Sequence, residues 1–200
     1  MNCWIMNGED HADDTIAWRL GNQGADPARI YVTDQPEAIT SDVAREICRE
    51  MLARKIDFLS IDPLQSWMGK DVDMHRANET RAWGSPLRQI GAVTGAAVLI
   101  SRPRRKGQSG DTSLYSGLGS IDISGFARSE LGAARTKAGT TYIERIKGTV
   151  GKTGGKIADV IEPNTNPGND HGVLRWSEVP PGPTAAPAST PAKLGQAVKW

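Results

Sequence analysis

The sequence predicts an α/β fold, in which a mostly parallel β-sheet is covered by helices and followed by a β-rich C-terminal part. Short apolar runs alternate with segments of helical periodicity over the first half of the chain. The run AAVLIS at residues 96–101 is continuously apolar, as are central strands of parallel sheets. After residue 140, apolar and polar residues alternate instead, which is typical of antiparallel strands.

The first half of the chain contains four predicted strands and three predicted helices. The strands are expected at residues 2–7, at residues 28–33, in the run that ends at Asp62, and at residues 96–101. The helices are expected from Asp13 or Asp14 to about Gly24, from a cap at Ser41 to Lys55, and from about residue 77 to 94. Pro86 predicts a kink or a break in the third helix.

The second half of the chain changes character after the fourth strand. Residues 102–112 are basic and contain glycine, and Ser120 is placed to cap a short helix that ends near Arg128. Residues 140–147 and 156–162 are predicted to form a hairpin, and residues 172–179 one more strand. Residues 180–200 are rich in Pro and Ala, which predicts a disordered tail after a single domain at residues 1–179.

Composition excludes several classes of protein. The formal net charge of +1 gives no global signal for nucleic acid or membrane binding. No apolar run approaches the roughly 20 residues that span a bilayer, so no membrane partner is expected. Two cysteines without paired spacing are typical of a reducing compartment, and we expect a cytoplasmic location.

The run DFLSIDPL at residues 57–64 carries the strongest functional signal. A charged amphipathic helix precedes it, and the buried strand that it predicts delivers Asp62 at its carboxyl end. Ligands of open α/β sheets lie beyond the carboxyl ends of strands, where a carboxylate can hold Mg²⁺. This arrangement describes a Walker B element, although a strand-end aspartate that caps the next turn has the same sequence pattern.

Four segments occur in the same order as the motifs of a known group of proteins. They are GEDHADDTIAWRLGNQGAD (8–26), FLSIDPLQSWMG (58–69), RAWGSPLRQIGAVTGAAVLIS (81–101) and LYSGLGSIDISGFARSEL (114–131). The chain resembles the RepA-like AAA-type ATPases of plasmids and phages, which are related to hexameric replicative helicases. The resemblance covers about residues 3–178 and implies a three-layer RecA-like sheet with helices on both faces.

The resemblance also implies a set of site residues and the cofactors ATP and Mg²⁺. Asp62 corresponds to the magnesium ligand, and Glu9 to the base that orients the attacking water. Arg128 corresponds to an arginine finger that acts on a neighbouring subunit, while Lys106 and Lys147 match nucleotide-binding positions. The residues alone leave alternatives open. Glu9 is equally an acid at the start of a helix, where the helix dipole favours negative charge, and Arg128 is equally an exposed arginine that pairs with an acid such as Glu130.

Residues 102–106 form a basic loop after the fourth strand. Arg102, Arg104 and Arg105 are candidate contacts to the phosphates of single-stranded DNA, although a solvated charge run has the same composition. The implied assembly is a homo-oligomer, a hexameric ring in the intact parent. Pro103 stands where the family usually has a histidine, which departs from its pattern.

The sequence contains no Gly-rich phosphate loop, because no Gly-x-x-x-x-Gly-Lys-Ser/Thr pattern occurs in it. We therefore expect an N-terminally truncated ATPase core, with weak or no ATP turnover by this chain. The function predicted for the parent is ATP hydrolysis coupled to movement along single-stranded DNA. The alternatives are an inactive nucleic-acid-binding or ring-assembly subunit, and a gene fragment without independent activity.

Overall fold

The computed structural model describes residues 1–70, 72–73, 76–103, 121–135, 141–149, 156–162 and 172–178. Its strands are β1 (Asn2–Asn7), β2 (Ile30–Thr33), β3 (Ile56–Asp62), β4 (Ala97–Ile100), β5 (Ser129–Arg135), β6 (Thr141–Gly148), β7 (Lys156–Glu162) and β8 (Val173–Glu178). Its α-helices are α1 (Ala17–Asn22), α2 (Ser41–Arg54), α3 (Ala77–Thr94) and α4 (Ile121–Phe126). Shorter helical turns occupy Ala12–Ile16, Pro27–Arg29 and Leu64–Trp67.

The first four strands form a parallel sheet in the order β2-β1-β3-β4. Each neighbouring pair is parallel, and β1 and β3 are in register from Cys3 with Phe58 to Asn7 with Asp62. Helices flank this sheet, so the predicted α/β class is confirmed. Because all four strands run the same way, their carboxyl ends meet at one edge, which is where the candidate site lies.

Helix α2 packs its apolar stripe into the main hydrophobic core. Its buried residues recur at helical spacing: Ala44, Ile47, Cys48 and Met51. The N-cap is Thr40 rather than the predicted Ser41, because the Thr40 hydroxyl accepts a hydrogen bond from the amide of Val43.

Helix α3 is one helix from Ala77 to Thr94, although Pro86 lies inside it. The predicted break is therefore absent. Trp83, Leu87 and Ile90 are buried at helical spacing against the sheet and α2. Gly95 ends the helix in the left-handed region at φ 71°, a conformation that glycine adopts without steric cost.

Two predictions for the parallel part are corrected by the structure. Strand β4 lies at the edge of the described sheet rather than at its centre, and Leu99 on its outer face is 45% exposed. Residues 65–76 are mostly polar and predict a loop, but the helical turn Leu64–Trp67 overlaps this range and inserts Leu64 and Trp67 into the core. A mostly polar segment can still be anchored in the core by one or two large apolar residues, which its average polarity does not reveal.

The remaining strands form an antiparallel sheet in the order β5-β6-β7-β8. The predicted hairpin of β6 and β7 is confirmed, with Thr141 opposite Asp159. Strand β5 was not predicted, because SELGAAR contains few β-branched or aromatic residues. The positions of Ser120 and of residues 180–200 lie outside the described residues.

Helix α4 is fixed to α3 by packing and by an ion pair. The Phe126 ring packs so closely on Gly84 that a Cβ there would lie 2.7 Å from Cδ1 of the ring. Arg81 and Asp122 form an ion pair of 2.7 Å between the two helices. Among the described helices, none has the length and apolar character needed to cross a membrane.

Candidate functional site

The carboxyl edge of the parallel sheet gathers the polar ends of β1, β3 and β4. Asn7 is paired with Asp62 in the ladder, and the amide of Gly8 donates to the carbonyl of Asp62 at 2.8 Å. Glu9 follows directly, so its carboxylate and that of Asp62 are both exposed at the same edge. The two acids therefore lie at the same edge of the parallel sheet.

Asn7 organises the turn that presents Glu9. The side chain of Asn7 is buried, and its Oδ1 accepts hydrogen bonds from the amides of Glu9 and Asp10, each at 2.8 Å. The carboxylate of Asp10 turns away to an ion pair with Arg19 at 2.7 Å. The two neighbouring acids are therefore distinguished by structure, because Asp10 has a basic partner and Glu9 has none within the described residues.

Gly8 allows β1 and the turn after β3 to approach each other. A Cβ at position 8 would lie 2.3 Å from Cβ of Ser66 and 2.6 Å from its Oγ. Only a residue without a side chain fits this contact in the observed backbone. Gly8 therefore sets the distance between the Glu9 turn and the segment that follows Asp62.

The carboxylate of Asp62 is oriented from the neighbouring strand β4. The hydroxyl of Ser101 donates a hydrogen bond to Oδ1 of Asp62. Two backbone hydrogen bonds hold the same segments together. The amide of Ser101 donates to the carbonyl of Ile61 at 2.9 Å, and the carbonyl of Ser101 accepts from the amide of Leu64 at 2.9 Å. One carboxylate oxygen is thus engaged, while Oδ2 has no partner in the described part of the chain.

These residues fit a magnesium ion that is bound together with a nucleotide. Mg²⁺ prefers oxygen ligands and takes one or two carboxylates, with the remaining positions filled by water and phosphate. Asp62 offers an exposed carboxylate whose orientation is fixed by Ser101. No cluster of three or more His, Cys, Asp or Glu side chains that could hold a metal occurs within the described ranges.

Arg102 does not extend into solvent as a basic loop residue would. Its Nη2 lies 2.7 Å from Oε1 of Glu130 and 2.6 Å from Oγ of Ser124, and its side chain is only 11% exposed. Its role in nucleic-acid binding stays a prediction, but in this arrangement the guanidinium is held by protein groups. The other loop candidates, Arg104, Arg105 and Lys106, lie outside the described residues.

Lys147 is directed at the end of α4. Its Nζ donates to the carbonyls of Ser124 and Ala127, the latter at 2.7 Å. A cation at this position complements the negative end of the helix dipole and satisfies carbonyls that the helix leaves free. Its predicted contact with nucleotide remains untested.

Arg128 is exposed at the start of the antiparallel sheet. Its carbonyl accepts from the amide of Thr149 at 3.0 Å, which anchors the backbone between β5 and the end of β6. Within the described ranges its guanidinium has no ion-pair partner, and Glu130 is paired with Arg102 instead. The alternative pairing of Arg128 with Glu130 is therefore absent from this arrangement.

Sequence reasoning missed Asn7 and Ser101 as parts of the site. Both are the first polar residues at the end of an apolar strand, which is a local signal that could have identified them. The pairing of Arg102 with Glu130 leaves no such signal, because the partners are 28 residues apart in sequence.

Comparison with known proteins now gives the family. Residues 1–109 match the family model described as an AAA domain, which covers β1 to β4 and more than half of the chain. The chain belongs to this family. A search of curated proteins finds no match to it.

Membership of the AAA domain family assigns the parallel sheet to an AAA-type ATPase-like domain. The matched residues include Glu9 and Asp62 but not Glu130 or Arg128. Proteins of this kind use nucleotide together with Mg²⁺, which agrees with an exposed, oriented carboxylate at the carboxyl edge of the sheet. The antiparallel sheet lies beyond the match.

Proposed function

We propose that this chain is the RecA-like ATPase core of a RepA-type replicative helicase. In the intact parent it hydrolyses ATP with Mg²⁺ and couples hydrolysis to movement along single-stranded DNA, as a ring of identical subunits. The observation that carries the proposal is the convergence of Glu9 and Asp62 at one edge of a parallel sheet.

The proposed chemistry is an in-line attack of water on the γ-phosphate. Asp62, with its carboxylate oriented by Ser101, would hold Mg²⁺, which would supply positive charge to the phosphates of a bound nucleotide. Glu9 accepts a hydrogen bond from the attacking water and orients it. Arg128 of a neighbouring subunit stabilises the negative charge that develops during transfer.

The absence of a Gly-rich phosphate loop from the sequence limits what the 200 residues do alone. Backbone amides of such a loop supply most of the binding to phosphates. We therefore expect weak nucleotide binding and little or no turnover by this chain. The same observation favours a second candidate, a non-catalytic subunit that binds nucleic acid or assembles the ring.

The first experiment measures binding of a fluorescent ATP analogue to the full chain, with and without Mg²⁺. Asp62→Asn should weaken Mg²⁺-dependent binding about tenfold, a range typical of changes to a metal ligand's surroundings. Asp57→Asn is the matched control, since Asp57 lies at the opposite end of the same strand and accepts from the amide of Asn2. Equal effects of both variants, or binding that ignores Mg²⁺, would contradict the ATPase proposal.

A second experiment separates the two candidates. Anisotropy of a labelled single-stranded oligonucleotide is measured at increasing salt, with an Arg104→Gln/Arg105→Gln variant. The control variant, Arg45→Gln/Arg49→Gln, removes the same charge from exposed positions of α2. Salt-sensitive binding that only the loop variant loses, without Mg²⁺-dependent nucleotide binding, supports the non-catalytic candidate.

Hydrolysis itself is measured on the 200-residue chain and on the chain extended by any in-frame coding sequence upstream of Met1. An upstream Gly-x-x-x-x-Gly-Lys-Ser/Thr should restore turnover that Asp62→Asn abolishes. Robust turnover by the 200 residues alone would overturn the expectation of a weak site. The mass of the assembly, measured in parallel, tests the ring.

A further inference from the structure

Arg102 and Glu130 form a mostly buried ion pair that joins the two sheets. Arg102 follows closely on β4 of the parallel sheet, and Glu130 is the second residue of β5. Their side chains are 11% and 16% exposed, and Nη2 of Arg102 also reaches Oγ of Ser124 in α4 at 2.6 Å. Charges are rarely this buried unless they are paired, so the contact fixes the two segments to each other.

The neighbours of the pair connect the two halves of the candidate site. On one side, Ser101 precedes Arg102 and holds the carboxylate of Asp62. On the other side, Glu130 stands two residues after Arg128. A path therefore runs from Asp62 to Arg128 through the hydrogen bond to Ser101, the ion pair of Arg102 with Glu130, and the short stretches of chain that connect them.

We propose that Arg102 is a positioning residue that sets the place of Arg128 relative to Asp62. It links the nucleotide edge of one subunit to the arginine that this subunit offers to its neighbour. The inference rests on the proposed function in one respect, namely the assignment of Arg128 as the residue that reaches the neighbouring nucleotide. It gives Arg102 a role inside the protein rather than on DNA.

The pair has room to change its geometry. Oε2 of Glu130 is buried without a hydrogen-bond partner in the described part of the chain, while Oε1 accepts from Arg102. Guanidinium and carboxylate groups form stronger contacts when two parallel hydrogen bonds are made. A small displacement of Arg102 would bring a second donor to Oε2, so a movement at the end of β4 would be transmitted to β5.

The amide of Thr149 provides a readout of this coupling that needs no nucleotide. It donates to the carbonyl of Arg128 at 3.0 Å, so its hydrogen exchange reports how firmly the Arg128 backbone is held. Ser101→Ala removes the side-chain hydrogen bond to Asp62 and leaves Arg128 itself unchanged. In the otherwise unchanged protein we expect it to accelerate exchange at Thr149 about fivefold.

The variants Arg102→Gln and Arg102→Lys test whether this effect passes through Arg102. In either background Ser101→Ala should change exchange at Thr149 less than about twofold, because the path is already interrupted. Arg102→Lys keeps the charge and serves as the folded variant if Arg102→Gln does not fold. Undiminished acceleration in the Arg102→Lys background would overturn the inference.

Arg81→Gln is the matched control. It removes another ion pair of α4, between Arg81 and Asp122, which joins α4 to α3 rather than to the segment after β4. The effect of Ser101→Ala at Thr149 should persist at about fivefold in this background. Equal loss of the effect in the Arg81→Gln and Arg102→Lys backgrounds would show general loosening of α4 and would overturn the inference.

Hydrolysis gives a separate measurement on the full assembly. In mixed rings, Arg102→Lys in the subunit that contributes Arg128 should lower kcat about tenfold and leave KM within about twofold. Absence of nucleotide binding or hydrolysis in every preparation would overturn the proposed function alone. The exchange experiment on the free chain decides the structural inference independently of that result.

Discussion

Ser101, directly after β4, and Asp62, the last residue of β3, are joined by a hydrogen bond from the Ser101 hydroxyl to Oδ1 of Asp62. Asp62 is the magnesium ligand of the proposed site, and Ser101 is the residue that fixes its carboxylate. A freely rotating carboxylate would lose rotamer freedom on binding a cation, and an oriented one has already lost it. The hydrogen bond therefore matters for binding more than for folding.

Replacement of Ser101 by Ala should separate these two effects. Since Asp62 is exposed, we expect the free energy of unfolding to fall by less than about 1 kcal/mol, while affinity for the Mg²⁺–nucleotide complex falls about tenfold. Denaturant unfolding and nucleotide titration measure the two quantities. Ser60→Ala, two residues before Asp62, is the control, and an equal loss of affinity in that variant would contradict the assignment.

Replacement of Gly8 by Ala tests the close approach of the Glu9 turn to Ser66. A methyl group at position 8 would overlap both Cβ and Oγ of Ser66, so we expect a destabilisation of about 1–3 kcal/mol. The double variant Gly8→Ala/Ser66→Gly should recover most of this loss in denaturant unfolding.

Gly21→Ala provides the comparison for glycine replacement itself. Gly21 lies in α1, and among the described residues nothing beyond its own helix backbone and chain neighbours lies within 4 Å of the position that the new methyl group would take. We expect this variant to be neutral or more stable by about 0.5–1 kcal/mol, because alanine favours helix. Equal destabilisation at positions 8 and 21 would show that steric overlap is not the cause.

The two ion pairs around α4 should contribute very differently to stability. The pair of Arg102 with Glu130 is mostly buried, so Arg102→Gln leaves a buried carboxylate and should cost about 3–5 kcal/mol. In the pair of Arg81 with Asp122, the carboxylate is 17% exposed but Arg81 is 67% exposed. Solvent therefore screens this pair from the side of Arg81, and Arg81→Gln should cost less, about 1 kcal/mol. Thermal and denaturant unfolding give both values, and similar losses would contradict the buried role of Arg102.

The pH dependence of stability should contain a contribution from Cys48. Burial in α2 raises the pKa of the Cys48 thiol. The folded chain therefore keeps this proton where the unfolded chain, with a pKa of about 8.5, has lost it. The stabilisation is complete below the unfolded pKa and declines as pH rises above it towards the folded pKa.

Unfolding free energies at neutral pH and near pH 10 measure this contribution. The difference in free energy of unfolding between the unchanged protein and Cys48→Ala should become smaller as the pH rises to about 10. Cys3→Ala controls for loss of a thiol elsewhere in the chain. A difference that stays constant or grows with pH would contradict the role of burial at Cys48.

The parallel half of the fold was predictable because its signals are local. Apolar runs and helical periodicity located β1, β3, α2 and α3 within a few residues, and the end of β3 located Asp62, whereas Glu9 was identified through the family resemblance. Strand β5 was missed because its small residues derive their conformation from pairing with β6 rather than from their own preference.

The part of the candidate site around α4 could not be predicted, for a different reason. Arg102 stands first in a basic run, and a charge run is typically solvated. Its burial depends on Glu130 and Ser124, which lie far along the chain and are brought close only by the packing of α4. Contacts between distant side chains leave no periodic trace in a sequence.

The ion pair of Arg102 with Glu130 also bears on how the basic run would bind a polyanion. A cation whose charge is already neutralised by a carboxylate does not neutralise a phosphate of a bound nucleic acid, so it releases no condensed counterion on binding. If all four cations of residues 102–106 contacted a single strand, log K against log salt would have a slope of about −2.8, and with Arg102 withdrawn the slope becomes about −2.1. If the basic run binds DNA as proposed, burial of one guanidinium makes that binding less sensitive to ionic strength.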